Sequence, residues 1–334
     1  MGASGLAVGS LTVGSQYSFA SEPVSLPQAI DPLSLLDPEL IPVAKQMQQR
    51  SASMVLSDEF IARARKGGGP PPPKPLPNVP FLERRVPVSG GAPDVRVLIV
   101  NSDPGVSRPV IVHTHGGGFI SGSVDQSLPD LQTLASALDC IVVTVDYRLA
   151  PETRYIGSIE DTYAALLWSY KNAAELGIDV RQIAVFGESA GGGHAAWLAL
   201  TARDRGEVPI AFQALIYPML DDRTGSTRRV APHIGTIGWN AASNRYGWRA
   251  FLGQEPGTQT VPTRAVPART RELSRLPATF IGVGSLDLFA LEDIEYATRL
   301  LTAGVAVELL VVPGAFHGFD VIGRDDLLVE FRTS

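Results

Sequence analysis

The sequence predicts a doubly wound, mostly parallel α/β sheet that carries a helical cap. Short β-branched runs alternate with helical stretches from residue 140 to the end of the chain, the signature of strands joined by crossover helices. Several runs are near-continuously apolar, as in CIVVTV at 140–145, which suits strands covered on both faces. A chain of 334 residues, 45% hydrophobic and 19% charged, is also long and apolar enough to bury a large core.

The opening stretch, MGASGLAVGSLTVGSQYSFASEP, has no Lys or Arg before a mildly apolar run that Gly and Ser interrupt, so it makes a poor secretory signal. Met1-Gly2 reads as a lipidation signal only in a eukaryotic host. No segment has the apolar length to span a bilayer, and the chain reads as cytoplasmic, with export as the alternative. A helix is expected over 37–50, entered through Asp37-Pro38, and a second over 57–67, from Ser57 to Gly67. The run GGGPPPPKPLPNVP at 67–80 fixes φ and removes donors, so it reads as an extended strap; a PxxP ligand for a partner domain is the alternative. Residues 1–79 therefore form an N-terminal cap and strap, and residues 80–334 the α/β domain.

Within that domain, strands are expected at 95–101, 109–115, 140–147, 182–187, 210–217, 279–284 and 305–312. Helices are expected at 159–176, 190–205, 291–303 and 324–331. Residues 220–262 break the alternation and carry Trp239, Tyr246, Trp248 and Phe251, which predicts a cap insertion over the carboxyl edge of the sheet.

Charge and cysteine usage exclude several chemistries. Lys+Arg total 28 against Asp+Glu 34, a net charge of −6, with no basic tract longer than the pairs Arg84-Arg85 and Arg228-Arg229, so a nucleic-acid partner is not indicated. The single cysteine, Cys140, sits in an apolar run and reads as a core residue, which leaves neither a disulfide, nor a cysteine nucleophile, nor a Cys-rich metal site.

Two motifs carry chemistry. In Gly187-Glu188-Ser189-Ala190-Gly191 an expected strand ends and an expected helix begins, a turn so sharp that a side chain at either glycine would clash and the serine hydroxyl is thrust above the sheet. The helix N-terminus there favours negative charge nearby. In His115-Gly116-Gly117-Gly118, also at a strand end, consecutive glycines let main-chain N–H groups turn into a cavity and receive an oxyanion. A serine needs a base, and a base needs an orienting carboxylate. Of five histidines, His113 and His115 belong to the glycine loop, His194 should point away from Ser189 into packing or solvent, and His233 lies in the insertion. His317, in a glycine-flanked loop after the last strand, remains. Asp287 follows a strand directly and completes the order Ser189, Asp287, His317. Glu292 and Asp293 compete for the acid role, but their helical pattern suggests a solvated face.

Together these motifs resemble the hormone-sensitive-lipase-like family of α/β-hydrolases, the HGGG-type microbial esterases. Asp146-Tyr147-Arg148-Leu149-Ala150-Pro151-Glu152 matches the family's D-Y-R-L-A-P-E block and Tyr217-Pro218 its Y-P, so the resemblance spans residues 80–331. Two departures stand out: Glu188 replaces the usual Asp or Thr before the nucleophile, and Leu288 replaces the proline after the acid. The resemblance implies Ser189 as nucleophile, His317 as base, Asp287 as its orienter, and Gly117, Gly118 and Ala190 as oxyanion donors, with Gly116 in reserve. His115 and the Asp146 block would hold the loop in shape, and 305–312 would be a homodimer edge. The expected function is a cofactor-free and metal-free serine carboxylesterase acting on short- to medium-chain acyl esters with water. A deacetylase, lactonase or amidase would share the machinery, and a non-catalytic small-molecule receptor would share the scaffold.

Overall fold

The computed structural model describes residues 30–51, 56–68 and 71–321; the N-terminal segment and the helix expected at 324–331 lie outside them. The strands are β1 (Phe81–Val86), β2 (Val95–Val100), β3 (Arg108–Thr114), β4 (Ile141–Asp146), β5 (Ile178–Glu188), β6 (Phe212–Ile216), β7 (Ala278–Gly284) and β8 (Val307–Val312). They form one sheet in the order β1-β2-β4-β3-β5-β6-β7-β8. Strand β2 runs antiparallel to β1 and β4, and every later pairing is parallel. The carboxyl ends of β3, β5, β7 and β8 therefore open on one edge, where ligands of such sheets bind. The apolar run in β4 buries Ile141, Val142, Val143 and Val145 completely, because helices cover both faces.

The helices are α1 (Ile41–Ser51), α2 (Asp58–Arg63), α3 (Val124–Ala137), α4 (Tyr155–Lys171), α5 (Ala173–Leu176), α6 (Ala190–Arg205), α7 (Ala241–Leu252) and α8 (Ala290–Thr302). Strand β1 was not expected. Its sequence FLERRV holds three charges, five of its six residues are exposed, and it pairs on one side only, so no alternation betrays it. Helix α3 was missed as well, because Pro129 lies inside it. Burial of Val124, Leu128, Leu131 and Ala135 along one face outweighs the proline.

The helix starts read at Asp37 and Ser57 are each capped by a side chain. The Asp37 carboxylate accepts from Glu39 N–H at 2.9 Å, and Ser57 Oγ accepts from Phe60 N–H at 3.1 Å, both at helix starts. Leu36, Leu40 and Ala44 pack with Ile216, Ile237, Phe316 and Phe319 in one buried cluster, which ties the first cap helix to the loop after β8. Tyr246 in α7 donates its hydroxyl to Asp58 in α2 at 2.7 Å, joining the N-terminal cap to the insertion. The proline strap is stapled to α3 by Gln132, whose amide oxygen accepts from Leu76 N–H at 2.6 Å while its nitrogen donates to the carbonyls of Leu76 and Val79.

Candidate active site

The turn after β5 is tight because backbone crosses backbone. A β-carbon at Gly187 would sit 2.7 Å from the Thr114 carbonyl, and one at Gly191 would be driven into the same carbonyl. Ser189 is held at φ 56 and ψ −120, a region costly for any residue with a side chain. Three main-chain bonds enforce it: Ser189 N–H donates to Ile216 at 2.9 Å, while its carbonyl accepts from Met219 at 2.8 Å and Gly193 at 3.1 Å. The hydroxyl therefore stands at the N-terminus of α6, the positive end of sixteen aligned peptide dipoles.

Ser189 Oγ lies 2.9 Å from His317 Nε2, and His317 Nδ1 lies 2.8 Å from Asp287 Oδ2. Asp287 is fully buried, and its other oxygen accepts from Phe289 N–H at 2.9 Å, which fixes the carboxylate plane. The imidazole is framed by the rings of Tyr217 and Phe289, at centroid distances of 4.7 and 5.2 Å. Tyr217 donates its hydroxyl to Asp320 at 2.7 Å, and burial pushes the phenol of Tyr217 and the carboxyl of Asp320 upward. Ser189, His317 and Asp287, the three residues singled out in the sequence, are thus brought together from the ends of β5, β8 and β7.

The glycine loop after β3 lies alongside. A β-carbon at Gly116 would come 3.5 Å from Ser189 Cβ, which measures how closely the loop approaches the serine. Gly118 has φ +61, a left-handed conformation that glycine adopts without strain. The loop is braced from below and behind. Tyr147 stacks on His115 at 4.3 Å and donates its hydroxyl to the His115 carbonyl at 2.6 Å. His113 is buried between Thr144 Oγ1 at 2.8 Å and Glu188 Oε2 at 3.0 Å, so the residue that departs from the family pattern is engaged with the strand that feeds the loop.

Two residues at this loop were not singled out in the sequence for it. Arg65, just after α2, donates to the Ile120 carbonyl from Nε at 3.1 Å and Nη2 at 2.7 Å, and also to the Ala150 carbonyl and Glu152. Trp239 lays its indole over Gly118. The first contact spans 55 residues, and no local pattern announces it. The second had a partial signal, an aromatic residue in the insertion.

One expectation is corrected. Glu292 and Asp293 do not form a solvated face: they are 2% and 0% exposed. Glu292 Oε1 accepts from the N–H groups of Leu220 at 2.7 Å and Asp221 at 3.0 Å and so braces the start of the insertion, while neither oxygen of Asp293 has a partner among the described residues. His194 is fully buried in an aromatic nest of Phe119, Tyr147 and Phe251, away from the serine as expected. Among the described residues, no three His, Cys, Asp or Glu side chains are grouped to hold a metal ion, and no helix is long and apolar enough to cross a membrane.

The sequence pattern of the alpha/beta hydrolase fold matches residues 111–321. The chain belongs to the α/β-hydrolase fold family. Carboxylesterase NlhH of Mycobacterium tuberculosis is 38% identical over 271 residues, covering 78% of this chain and 81% of that protein. The solved structure of a bacterial heroin esterase, 37% identical, superposes with a TM-score of 0.76 over 87% of this chain and 92% of its own. An esterase structure from Rhizomucor miehei, 26% identical, gives a TM-score of 0.75 over 89% and 95%. This α/β-hydrolase is a carboxylic ester hydrolase of the hormone-sensitive-lipase-like type, the family that its HGGG loop and serine turn resembled.

Proposed function

We propose that the hydrolase cleaves short- to medium-chain acyl esters by a serine acyl-enzyme mechanism. The observation that carries this reading is the unbroken line from Ser189 Oγ through His317 to the buried Asp287, at 2.9 and 2.8 Å. In the first half-reaction Ser189 Oγ bonds to the ester carbonyl carbon while its proton passes to His317 Nε2. Asp287 holds the ring orientation and stabilises the imidazolium. Negative charge gathering on the carbonyl oxygen is received by the N–H groups of Gly117, Gly118 and Ala190, with Gly116 adjoining them, and by the dipole of α6. The C–O bond to the alcohol breaks as His317 returns the proton to the departing oxygen. Water then gives a proton to His317 as its oxygen bonds to the acyl carbon, and the C–O bond to Ser189 breaks as His317 returns that proton to Oγ and the acid is released.

Hydrolysis of p-nitrophenyl esters from acetate to decanoate tests this beside Ser189→Ala and a fluorophosphonate label. The expected result is turnover and covalent labelling in the wild type, with Ser189→Ala losing labelling and about 10⁴-fold or more in kcat. Asp287→Asn, which keeps the shape but not the charge, should lose about 10³- to 10⁴-fold. A wild type that neither turns over nor labels would leave the site a receptor. p-Nitroanilides run in parallel separate esterase from amidase.

A further inference from the structure

The insertion between β6 and β7 bridges the two halves of the candidate site in two consecutive residues. A β-carbon at Gly238 would lie 2.6 Å from the His317 carbonyl oxygen and 3.2 Å from His317 Cβ, so this residue rests against the base. A β-carbon at Gly118 would lie 2.7 Å from Cζ2 and 3.1 Å from Cζ3 of Trp239, so the next residue rests on the oxyanion loop. Ser189 is hydrogen-bonded to His317 and lies beside Gly116, two residues before the glycine that the indole covers.

The indole is also held in place. Its N–H donates to Asn244 Oδ1 at 3.1 Å, and the fully buried Asn244 donates in turn to the Thr224 carbonyl at 2.8 Å. Gly247 of α7 backs the ring, since a β-carbon there would lie 3.5 Å from Cζ2. A half-buried aromatic ring fixed by a buried hydrogen-bond chain is a wall, not a mobile flap.

We infer that Trp239 is the specificity-determining wall that limits the acyl chain. This rests on the serine-esterase reading above and deepens it. The departing alcohol oxygen must face His317 Nε2 to collect its proton, which places the alcohol half of the ester on the His317 side of Ser189. The acyl half then runs the other way, past the oxyanion loop, where the indole covers Gly118. Short straight acyl groups end before the ring, and longer ones run into it.

The test is kcat/KM for p-nitrophenyl acetate, butyrate, octanoate and decanoate, and for methyl, ethyl and butyl acetates, in the wild type, Trp239→Ala and Trp239→Phe. Removing the indole is expected to raise the decanoate-to-acetate ratio about tenfold or more, with the alcohol series changed by less than about threefold. Trp239→Phe, which keeps a ring on Gly118, should stay near the wild type. If the alanine variant does not fold, Trp239→Leu takes its place with the same expectation. A folded variant that still labels at Ser189 but keeps the wild-type acyl ratio, or one that shifts the alcohol series instead, overturns the inference and leaves the serine mechanism standing. A wild type that fails to label overturns the mechanism and this assignment together.

Discussion

Asp293 and His194 are both fully buried and without side-chain hydrogen-bond partners among the described residues, yet they pull stability in opposite directions with pH. Burial, with Glu292 and Asp287 close by, holds the Asp293 carboxyl well above its ordinary 3.8. The folded chain then keeps a proton that the unfolded chain releases, so stability is greatest below the ordinary carboxylate range and falls as pH rises through it. Asp293→Asn removes that loss. Its melting temperature should exceed the wild type's near pH 8, by roughly 2–4 °C for each kcal/mol recovered, and the gain should vanish near pH 4. His194 behaves in reverse. Burial pushes its imidazole down to about 3, so the unfolded chain takes up a proton near 6.5 that the folded chain refuses. Stability is therefore intact above pH 6.5 and is lost as pH falls toward 3, with His115 acting in the same direction. His194→Leu should flatten the melting temperature between about pH 6.5 and 4, and a wild-type slope in that variant would place the acid loss in other groups. The meeting of Ser189, His317 and Asp287 could be read from sequence because each follows an apolar strand in a glycine-marked turn. The burial of Asp293 could not, since a charged residue one turn into a helix carries the pattern of a wet face whichever way that helix rolls.

At the scale of elements, the N-terminal segment reaches the glycine loop through Arg65. Arg65 spreads its guanidinium across the carbonyls of Ile120 and Ala150, and Ile120 is itself tied by its N–H to the Gly117 carbonyl at 3.1 Å. The cap therefore bears on the loop proposed to hold the oxyanion. Arg65→Ala should lower kcat by about tenfold to 10²-fold with a smaller change in KM, because a loop displaced by a fraction of an ångström harms the transition state more than the ground state. Arg65→Lys should recover only part, since an ammonium cannot reproduce the planar fork. A loss confined to KM would assign Arg65 to substrate access instead. The parallel strands and α6 were legible because burial on both faces writes an uninterrupted apolar run. β1 was not, being charged and paired on one side, and neither was α3, where packing along one face overrides Pro129. The Arg65 contact joins parts of the chain that no periodicity connects.

At the scale of the whole molecule, the sheet has two edges with different chemistry. β1 carries Glu83, Arg84 and Arg85, charges that discourage a further strand from pairing. β8 has a strand on one side only among the described residues, and Glu308 is its single charged residue. Leu309 there is 37% exposed, and α8, which follows β7, exposes Leu291 and Leu301 at 52% and 57%. An apolar edge flanked by exposed leucines invites a second sheet, and strand-to-strand pairing between two copies would satisfy the free main-chain groups and cover these side chains in one step. The expected outcome is a dimer by light scattering at micromolar concentration that Leu309→Lys converts to monomer, because pairing through a two-fold axis would bring two buried cations close together. Ser189, His317 and Asp287 all belong to one chain, and Tyr246 and Asp58 join α7 to α2 within that same chain. The monomeric variant should therefore keep its esterase turnover while losing thermal stability with dilution-independent unfolding, in contrast to the concentration-dependent melting of the wild type. A wild type that is monomeric at high concentration, or a Leu309→Lys variant that stays dimeric, would move the interface away from β8.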